Sequence, residues 1–63
     1  MTATYMTKKV SVEMKKALWN WAKRLDATEM TVWHDGSVSL YEGNDCICER
    51  YNPTAKELYK TGF

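Results

Sequence analysis

The hydrophobic residues between Ser11 and Asp26 recur with the spacing of an amphipathic helix. At about 100° per residue, one face of such a helix collects the apolar side chains of Val10, Met14, Ala17, Leu18, Trp21 and Leu25. Ser11 is a good N-cap, and Glu13 places a carboxylate in the first turn, where the helix dipole favours an anion. The pattern therefore predicts a helix over residues 11–26, with Trp21 buried in the core.

Trp19 falls outside this apolar face. It lies beside Val12, and three basic residues surround it at helical spacing, namely Lys15, Lys16 and Lys23. The lysine stems can cover the ring, and the pattern is then only a solvated helix face. Alternatively, Trp19 and the lysines form a contact surface for a partner. We call these five residues the helix stripe.

Residues 29–51 change from helical to alternating spacing of apolar and polar positions, which is typical of strands. The first turn of this stretch, at residues 34–36, is best closed as a three-residue loop with Gly36 in the left-handed region. Such a loop pairs Val32 with Val38 and keeps one face of the hairpin apolar.

The second turn, Gly43-Asn44, suits a two-residue type II′ loop and completes a three-stranded antiparallel β-meander. The cross-strand pairs that this loop predicts are Leu40 with Ile47, Tyr41 with Cys46, and Ser39 with Cys48. The side chains expected to face the helix are those of Met30, Val32, Val38, Leu40 and Ile47. Those expected to face away are Thr31, Trp33, Ser39, Tyr41, Cys46 and Cys48.

Residues 1–10 contain no helix start and predict an extended arm or an edge strand. Lys8 and Lys9 suit an exposed edge, because charged side chains discourage pairing with foreign strands. The same strand can alternatively pair with its copy in a homodimer.

Residues 53–61 predict a short helix, with Asn52 as its N-cap and Pro53 at its first position. One face of this helix carries Ala55, Leu58 and Tyr59. Gly62 is expected to end the helix, and Phe63 to fold back over the core. The expected fold is α+β, in the order α-β-β-β-α: one amphipathic helix packs on the meander, a short C-terminal helix follows, and an N-terminal edge strand is an optional addition.

The chain has 63 residues, which predicts a single small domain over residues 1–63. It contains no apolar run near the ~20 residues that a membrane span needs, and its first residues lack the apolar region of a signal peptide. The two cysteines are too few for a disulfide scaffold and too close together to pair without strain. These features predict reduced thiols and a cytoplasmic protein that has no membrane contact.

The net charge of +1 hides an asymmetry along the chain. Residues 1–24 carry six basic side chains and one acidic one, whereas residues 25–63 carry three basic and seven acidic ones. Two explanations remain open. The helix can pair internally with the rim of the sheet, or the molecule can present a dipolar surface that steers a charged partner or supports self-association.

Candidate chemistry is sparse. Cys46 and Cys48 with His34 are residue types that bind zinc, but structural zinc sites usually need four ligands and Cys pairs spaced by two to four residues. His34 lies at the opposite end of the hairpins from the cysteines, which also disfavours Cys–His catalysis. Asp35 and Glu49 are expected to be rim charges, and no phosphate-binding loop exists. We therefore predict no enzyme activity, no metal and no cofactor.

Two stretches resemble nucleic-acid-binding families. Residues 6–25, MTKKVSVEMKKALWNWAKRL, resemble the ribbon and first helix of ribbon–helix–helix repressors, but EMTVWHDGSV then predicts a strand where those proteins have a second helix. The order α-β-β-β-α is similar to that of double-stranded-RNA-binding domains, which implies RNA contacts near His34, Lys56 and Lys60. Their Gly-Pro-x-His loop is WHDG here, and TAKE replaces their lysine cluster. Neither resemblance identifies a family.

The sequence therefore favours a small non-catalytic module that binds a larger protein as an inhibitor or regulator. Proteins of this size are common products of phages and mobile elements, including inhibitors of host defence, although no residue points there directly. The candidate contact residues are Trp19, Lys15, Lys16, Lys23, Trp33 and Tyr41. The alternative is a nucleic-acid-binding regulator that uses the helix stripe.

Overall fold

A computed structural model describes residues 1–60 of the chain. In chain order, the elements are β1 (Thr2–Tyr5), α1 (Val12–Arg24), β2 (Glu29–Val32), β3 (Val38–Glu42), β4 (Asp45–Arg50) and α2 (Ala55–Lys60). The fold is α+β, and the strands form one four-stranded sheet in the order β1-β2-β3-β4. The predicted meander is present as β2, β3 and β4, and the optional N-terminal strand is present as β1.

The direction of β1 changes the predicted topology. β1 runs parallel to β2, with Thr2 opposite Glu29 and Tyr5 opposite Val32. Parallel neighbours need a crossover connection, and α1 provides it. The sheet is therefore mixed rather than purely antiparallel. Lys8 and Lys9 lie beyond the strand, in the segment that leads to α1, so they do not protect its edge as predicted.

Both ends of α1 have defined caps. Ser11 caps the start as expected, because its hydroxyl accepts a backbone N–H bond from the first turn. At the other end, the Asp26 N–H donates to the Lys23 carbonyl at 3.1 Å, and the Ala27 N–H donates to the Ala22 carbonyl at 3.0 Å. These two bonds form a Schellman motif, and Asp26 occupies its left-handed position with φ 57°.

The core lies between the two helices and one face of the sheet. Trp21 is fully buried at its centre, as predicted, and its indole Nε1 has no hydrogen-bond partner among the described residues. The other buried members of this hydrophobic cluster are Ala17, Leu18, Ala22, Ala27, Met30, Val32, Val38, Leu40 and Leu58. Both helices therefore cover the same face of the sheet, and neither covers the other face.

The two hairpin turns have the predicted lengths. The partners across β2 and β3 include Met30 with Leu40 and Val32 with Val38. Gly36 has φ +90° and lies so close to Asn52 that an added Cβ would fall 2.6 Å from the Asn52 Oδ1 atom. Gly43 has φ +63° whereas Asn44 is not in the left-handed region, which is the pattern of a type II′ turn.

The predicted register of β4 is wrong beyond its second residue. Tyr41 pairs with Cys46 as predicted, but Leu40 pairs with Cys48, because a β-bulge inserts Ile47 as an extra residue. Ile47 is consequently 40% exposed and is not part of the core, and Cys48 packs against the core instead of facing away. Ser39 lies opposite Glu49 rather than Cys48.

The C-terminal helix begins two residues later than predicted, at Ala55, and has a different N-cap. The Thr54 hydroxyl accepts the Glu57 backbone N–H at 3.1 Å and donates to the Glu57 carboxylate at 3.2 Å. Thr54 is therefore the cap, and Asn52 lies upstream with φ 44°. Leu58 is buried, whereas Tyr59, which was expected on the same face, is exposed. The predictions for Gly62 and Phe63 concern positions outside the described residues.

Candidate functional site

The face of the sheet opposite the helices forms a continuous surface. Its residues follow from the strand register, since each alternates with a residue that faces the core. We call it the outer sheet surface, and its members are Thr2, Thr4, Glu29, Thr31, Trp33, Ser39, Tyr41, Cys46 and Glu49. Two of the predicted contact residues, Trp33 and Tyr41, thus lie on the same surface. No helix or strand in residues 1–60 packs over it.

Trp33 is fixed on this surface by a hydrogen bond. Its indole Nε1 donates to the Ser39 hydroxyl at 2.9 Å. Ser39 is only 6% exposed although it faces outward, whereas Trp33 is 40% exposed. The indole ring therefore lies on the sheet with a defined edge toward β3, and part of the ring remains open to solvent.

A shallow cleft of about 510 Å³ opens beside Trp33. Its lining residues are Trp33, His34, Asp35, Ser37, Ser39 and Glu49. The Ser37 backbone N–H donates to the Asp35 carboxylate at 2.9 Å, and this bond, with a second one from the Ser37 side chain, lowers the pKa of Asp35. Asp35 is therefore ionised at neutral pH, so the cleft combines an aromatic ring with carboxylates.

Tyr41 and Cys46 continue the surface away from the cleft. They are cross-strand partners, and the Cys46 thiol lies 3.5 Å from the Glu49 carboxylate oxygen Oε1. Desolvation, together with the hydrogen bond to Glu49 and the charge of its carboxylate, raises the pKa of Cys46. The thiol is consequently neutral at physiological pH, and a neutral thiol is a poor nucleophile.

The helix stripe lies on the other side of the sheet, on the solvent side of α1. Val12 is 71% exposed and Trp19 is 36% exposed, and the three lysines are also exposed. The Lys15 ammonium lies 4.9 Å from the centre of the Tyr5 ring on β1, which is a cation–π contact. The stripe therefore extends from α1 toward the edge strand of the sheet.

The basic and acidic residues that are separated along the sequence are also separated in the folded molecule. Within residues 1–60, Glu57 aside, the basic side chains of α1 form no ion pair with a carboxylate. The interpretation that the helix pairs internally with the rim of the sheet is therefore wrong for this part of the chain. The lysines of the helix stripe and the carboxylates of the outer sheet surface face solvent on opposite sides of the molecule.

The residues considered for metal binding and catalysis do not come together. His34 lies in the β2–β3 loop, between the cleft and a cavity of about 390 Å³ at the start of α1. Cys46 lies at the second turn, and Cys48 faces the core. In the described part of the chain, no three His, Cys, Asp or Glu side chains are grouped to hold a metal ion.

Three residues that line the cleft were not predicted from the sequence as contact residues, namely Asp35, Ser39 and Glu49. Ser39 alternates between two buried strand residues, which marks it as outward-facing, but nothing in the pattern indicates that Trp33 bonds to it.

No helix within residues 1–60 is long and apolar enough to cross a membrane.

Comparison of the chain with protein-family models, curated proteins and solved structures finds no match.

Proposed function

We propose that the chain is a non-catalytic protein-binding module, an inhibitor or regulator of a larger protein, and that it makes contact through the outer sheet surface. The observation that carries the proposal is the open face of the sheet, on which Trp33 is held half-exposed by its bond to Ser39. An aromatic ring on an uncovered surface is more typical of an interface than of a solvated face.

The fixed orientation of Trp33 supports this proposal on energetic grounds. Binding costs conformational entropy wherever a side chain must be ordered in the complex. Because Trp33 is already ordered by the hydrogen bond, that cost is small, and tryptophan is among the residues that contribute most binding energy at interfaces. Tyr41, which is half-buried on the same surface, extends the contact area.

The experiment is a paired capture. Tagged wild-type protein, Trp33→Ala and Trp19→Ala are used as baits in extracts of the native host, and recovered proteins are quantified by mass spectrometry. We expect one protein to be recovered equally by wild type and Trp19→Ala and to fall about 30-fold or more with Trp33→Ala, as for a hot spot of about 2 kcal/mol. Thermal melts by circular dichroism must show that both variants are fully folded at the temperature of the capture.

Loss of the same protein with Trp19→Ala but not with Trp33→Ala would move the contact to the helix stripe. Equal recovery by all three baits would contradict the proposal. Size-exclusion chromatography with light scattering on the same samples tests whether the surface not used for the partner joins two copies into a homodimer.

Nucleic-acid binding through the helix stripe is the second candidate. It is favoured by the exposed Lys15, Lys16 and Lys23 around Trp19, since lysines bind phosphates and an exposed aromatic ring stacks on bases. The carboxylates of the outer sheet surface would repel phosphate, which favours the helix stripe over that surface as the nucleic-acid contact.

Fluorescence anisotropy with labelled single- and double-stranded oligonucleotides tests this alternative. We expect the logarithm of the association constant for duplex DNA to fall with the logarithm of the salt concentration. The slope should be about −2 to −3 for three phosphate contacts. Lys16→Ala should weaken binding and Trp33→Ala should not. If no binding occurs at low salt, the candidate is excluded.

A further inference from the structure

The cleft beside Trp33 has the composition of a cation site. Trp33 and Glu49 both line it, and they are brought together by Ser39, which accepts the Trp33 indole N–H and is the cross-strand partner of Glu49. Directly opposed residues on one face of a sheet have Cβ atoms about 4.5–5.5 Å apart, so the ring edge and Glu49 are close neighbours. Asp35 lines the cleft at the hairpin end.

Two groups in the cleft can contact a ligand, namely the face of the Trp33 ring and the Glu49 carboxylate. The indole N–H is already used by Ser39, so the ring offers its face rather than a hydrogen bond. Within residues 1–60, the Glu49 carboxylate receives only a long thiol contact at 3.5 Å from Cys46, which is weak compared with an ionic hydrogen bond. Of the lining residues, His34 is the only one that can carry a positive charge, and the remaining polar groups are hydroxyls and carboxylates.

We infer that this cleft binds the guanidinium group of an arginine in a basic segment of the protein partner. The inference rests on the proposed function and specifies the chemistry of its partner. A planar guanidinium stacks on an indole face and can at the same time donate two parallel hydrogen bonds to a carboxylate. A lysine ammonium is a compact, strongly hydrated charge and cannot do both equally well.

Charge complementarity favours a basic protein segment over nucleic acid or a second copy of the chain as the ligand of this surface. Nucleic acid is disfavoured by Glu29, Asp35 and Glu49, which would face its phosphates. A second copy of the chain could offer its helix stripe, but the basic residues there are lysines. Both of its arginines already donate to backbone carbonyls, Arg24 to Leu58 at 2.7 Å and Arg50 to Glu49 at 3.2 Å. The partner is therefore a different protein with an exposed arginine-containing segment.

The test uses a capped peptide in which arginines alternate with glycines, with matched peptides that carry lysine or citrulline instead. Binding is followed by NMR on ¹⁵N-labelled full-length protein, through the backbone amide signals at positions 39 and 49, which every variant retains, and through the Trp33 indole N–H signal wherever Trp33 is present. We expect the arginine peptide to bind about tenfold or more tightly than the citrulline peptide, which keeps the shape but lacks the charge, and about threefold more tightly than the lysine peptide.

Three variants probe the cleft and one is a matched control. Trp33→Leu keeps apolar bulk but removes the aromatic face, Glu49→Gln and Asp35→Asn remove one charge each, and Glu42→Gln removes a charge outside the cleft. We expect Trp33→Leu and Glu49→Gln to weaken arginine-peptide binding at least about fivefold, and Asp35→Asn less than these. Glu42→Gln should leave it unchanged. Thermal melts establish that each variant is folded.

The outcomes separate the inference from the proposed function. If partner capture depends on Trp33 but the arginine peptide does not bind, the arginine site is overturned and the protein-binding surface stands. If Glu42→Gln and Glu49→Gln weaken peptide binding equally, the attraction is diffuse charge and the site is also overturned. Self-association that competes with the peptide would make a second copy the occupant instead. Capture that is indifferent to Trp33 refutes the proposed function itself.

Discussion

Trp21 and Trp33 lie on opposite sides of the sheet and are held by opposite means. Trp21 is fully buried, yet its indole N–H has no partner among the described residues, whereas the half-exposed Trp33 donates its N–H to Ser39 at 2.9 Å. A buried unpaired N–H costs about 1–3 kcal/mol, so the area that Trp21 buries must outweigh that cost. Packing therefore determines the position of Trp21, whereas a directional hydrogen bond determines that of Trp33.

The largest expected effect is the difference in stability between the two tryptophan variants. Trp21→Ala removes the largest buried side chain and leaves a cavity, which should lower the free energy of unfolding by about 3–5 kcal/mol. Trp33→Ala removes a partly exposed ring and one hydrogen bond and should cost about 1 kcal/mol. Urea unfolding followed by circular dichroism measures both. Equal losses would mean that Trp33 belongs to the core as much as Trp21 does.

The two faces of β4 provide a second, smaller contrast. Cys48→Asp places a charge against the core and should destabilise the protein by about 2 kcal/mol or more. Ile47→Asp alters the exposed bulge residue and should change stability by less than about 1 kcal/mol. The same unfolding measurement applies. If Ile47→Asp is the more damaging substitution, the strand has the regular register and no bulge.

Ser39→Ala tests what fixes Trp33. The variant leaves the indole N–H without its partner, and because Ser39 is buried beneath the ring, we expect a loss of about 0.5–1.5 kcal/mol. The Trp33 indole signal should also move in a ¹⁵N spectrum, while the Trp21 signal stays in place. Ser37→Ala, at the neighbouring outward position, is the control and should leave the Trp33 signal near its original position.

Asp26 lies on neither face of the sheet, and Asp26→Gly is expected to stabilise the protein. In that more stable background, larger losses of the free energy of unfolding can be measured for the other variants. Asp26 holds a left-handed conformation with φ 57° at the C-terminus of α1, where its negative charge also opposes the helix dipole. Glycine adopts that conformation without steric cost, so we expect a gain of about 0.5–1 kcal/mol in the same urea experiment. Asp26→Ala, which removes the charge but keeps a Cβ, should gain less.

The smallest effect concerns the Cys46 thiol on the outer sheet surface. Desolvation and then Glu49 raise the pKa of Cys46, so Glu49→Gln should lower it part of the way toward its ordinary value. The thiolate fraction near pH 8 then increases, and alkylation by iodoacetamide should accelerate about twofold. The rates are compared across pH in a Cys48→Ala background. A shift in the opposite direction would mean that Glu49 does not contact the thiol.

The parts of the fold that follow from a regular pattern were predictable. The helical period placed Trp21 in the core and Trp19 outside it, and Gly36 determined the length of the first loop. The bulge in β4 was not predictable, because Ile47 and Cys48 are both apolar and either can face the core. Thr54 could have been recognised, since Thr-x-x-Glu is a capping-box pattern, but the preference of proline for the first helical position favoured Asn52 as the cap.

The candidate site was predictable only in its outline. Alternation in β3 put Ser39 and Tyr41 on the face opposite Leu40, and the loop length put Trp33 on the same side. The bond between Trp33 and Ser39 depends on side-chain rotation, which spacing does not encode. The parallel pairing of β1 was missed because four residues of moderate polarity specify neither partner nor direction, and their pairing depends on contacts that are distant in the sequence.

The parallel strand β1 also has a consequence for the order in which the molecule assembles. β2, β3 and β4 are joined by short turns and can form locally, whereas β1 can pair with β2 only after α1 has crossed the sheet. We expect β1 to dock last and to detach first, with the fastest amide exchange of the four strands. While it is detached, the edge of β2 is a template for β1 of another molecule, and exchange of β1 between two molecules would restore the pairing of β1 with β2 in a domain-swapped dimer.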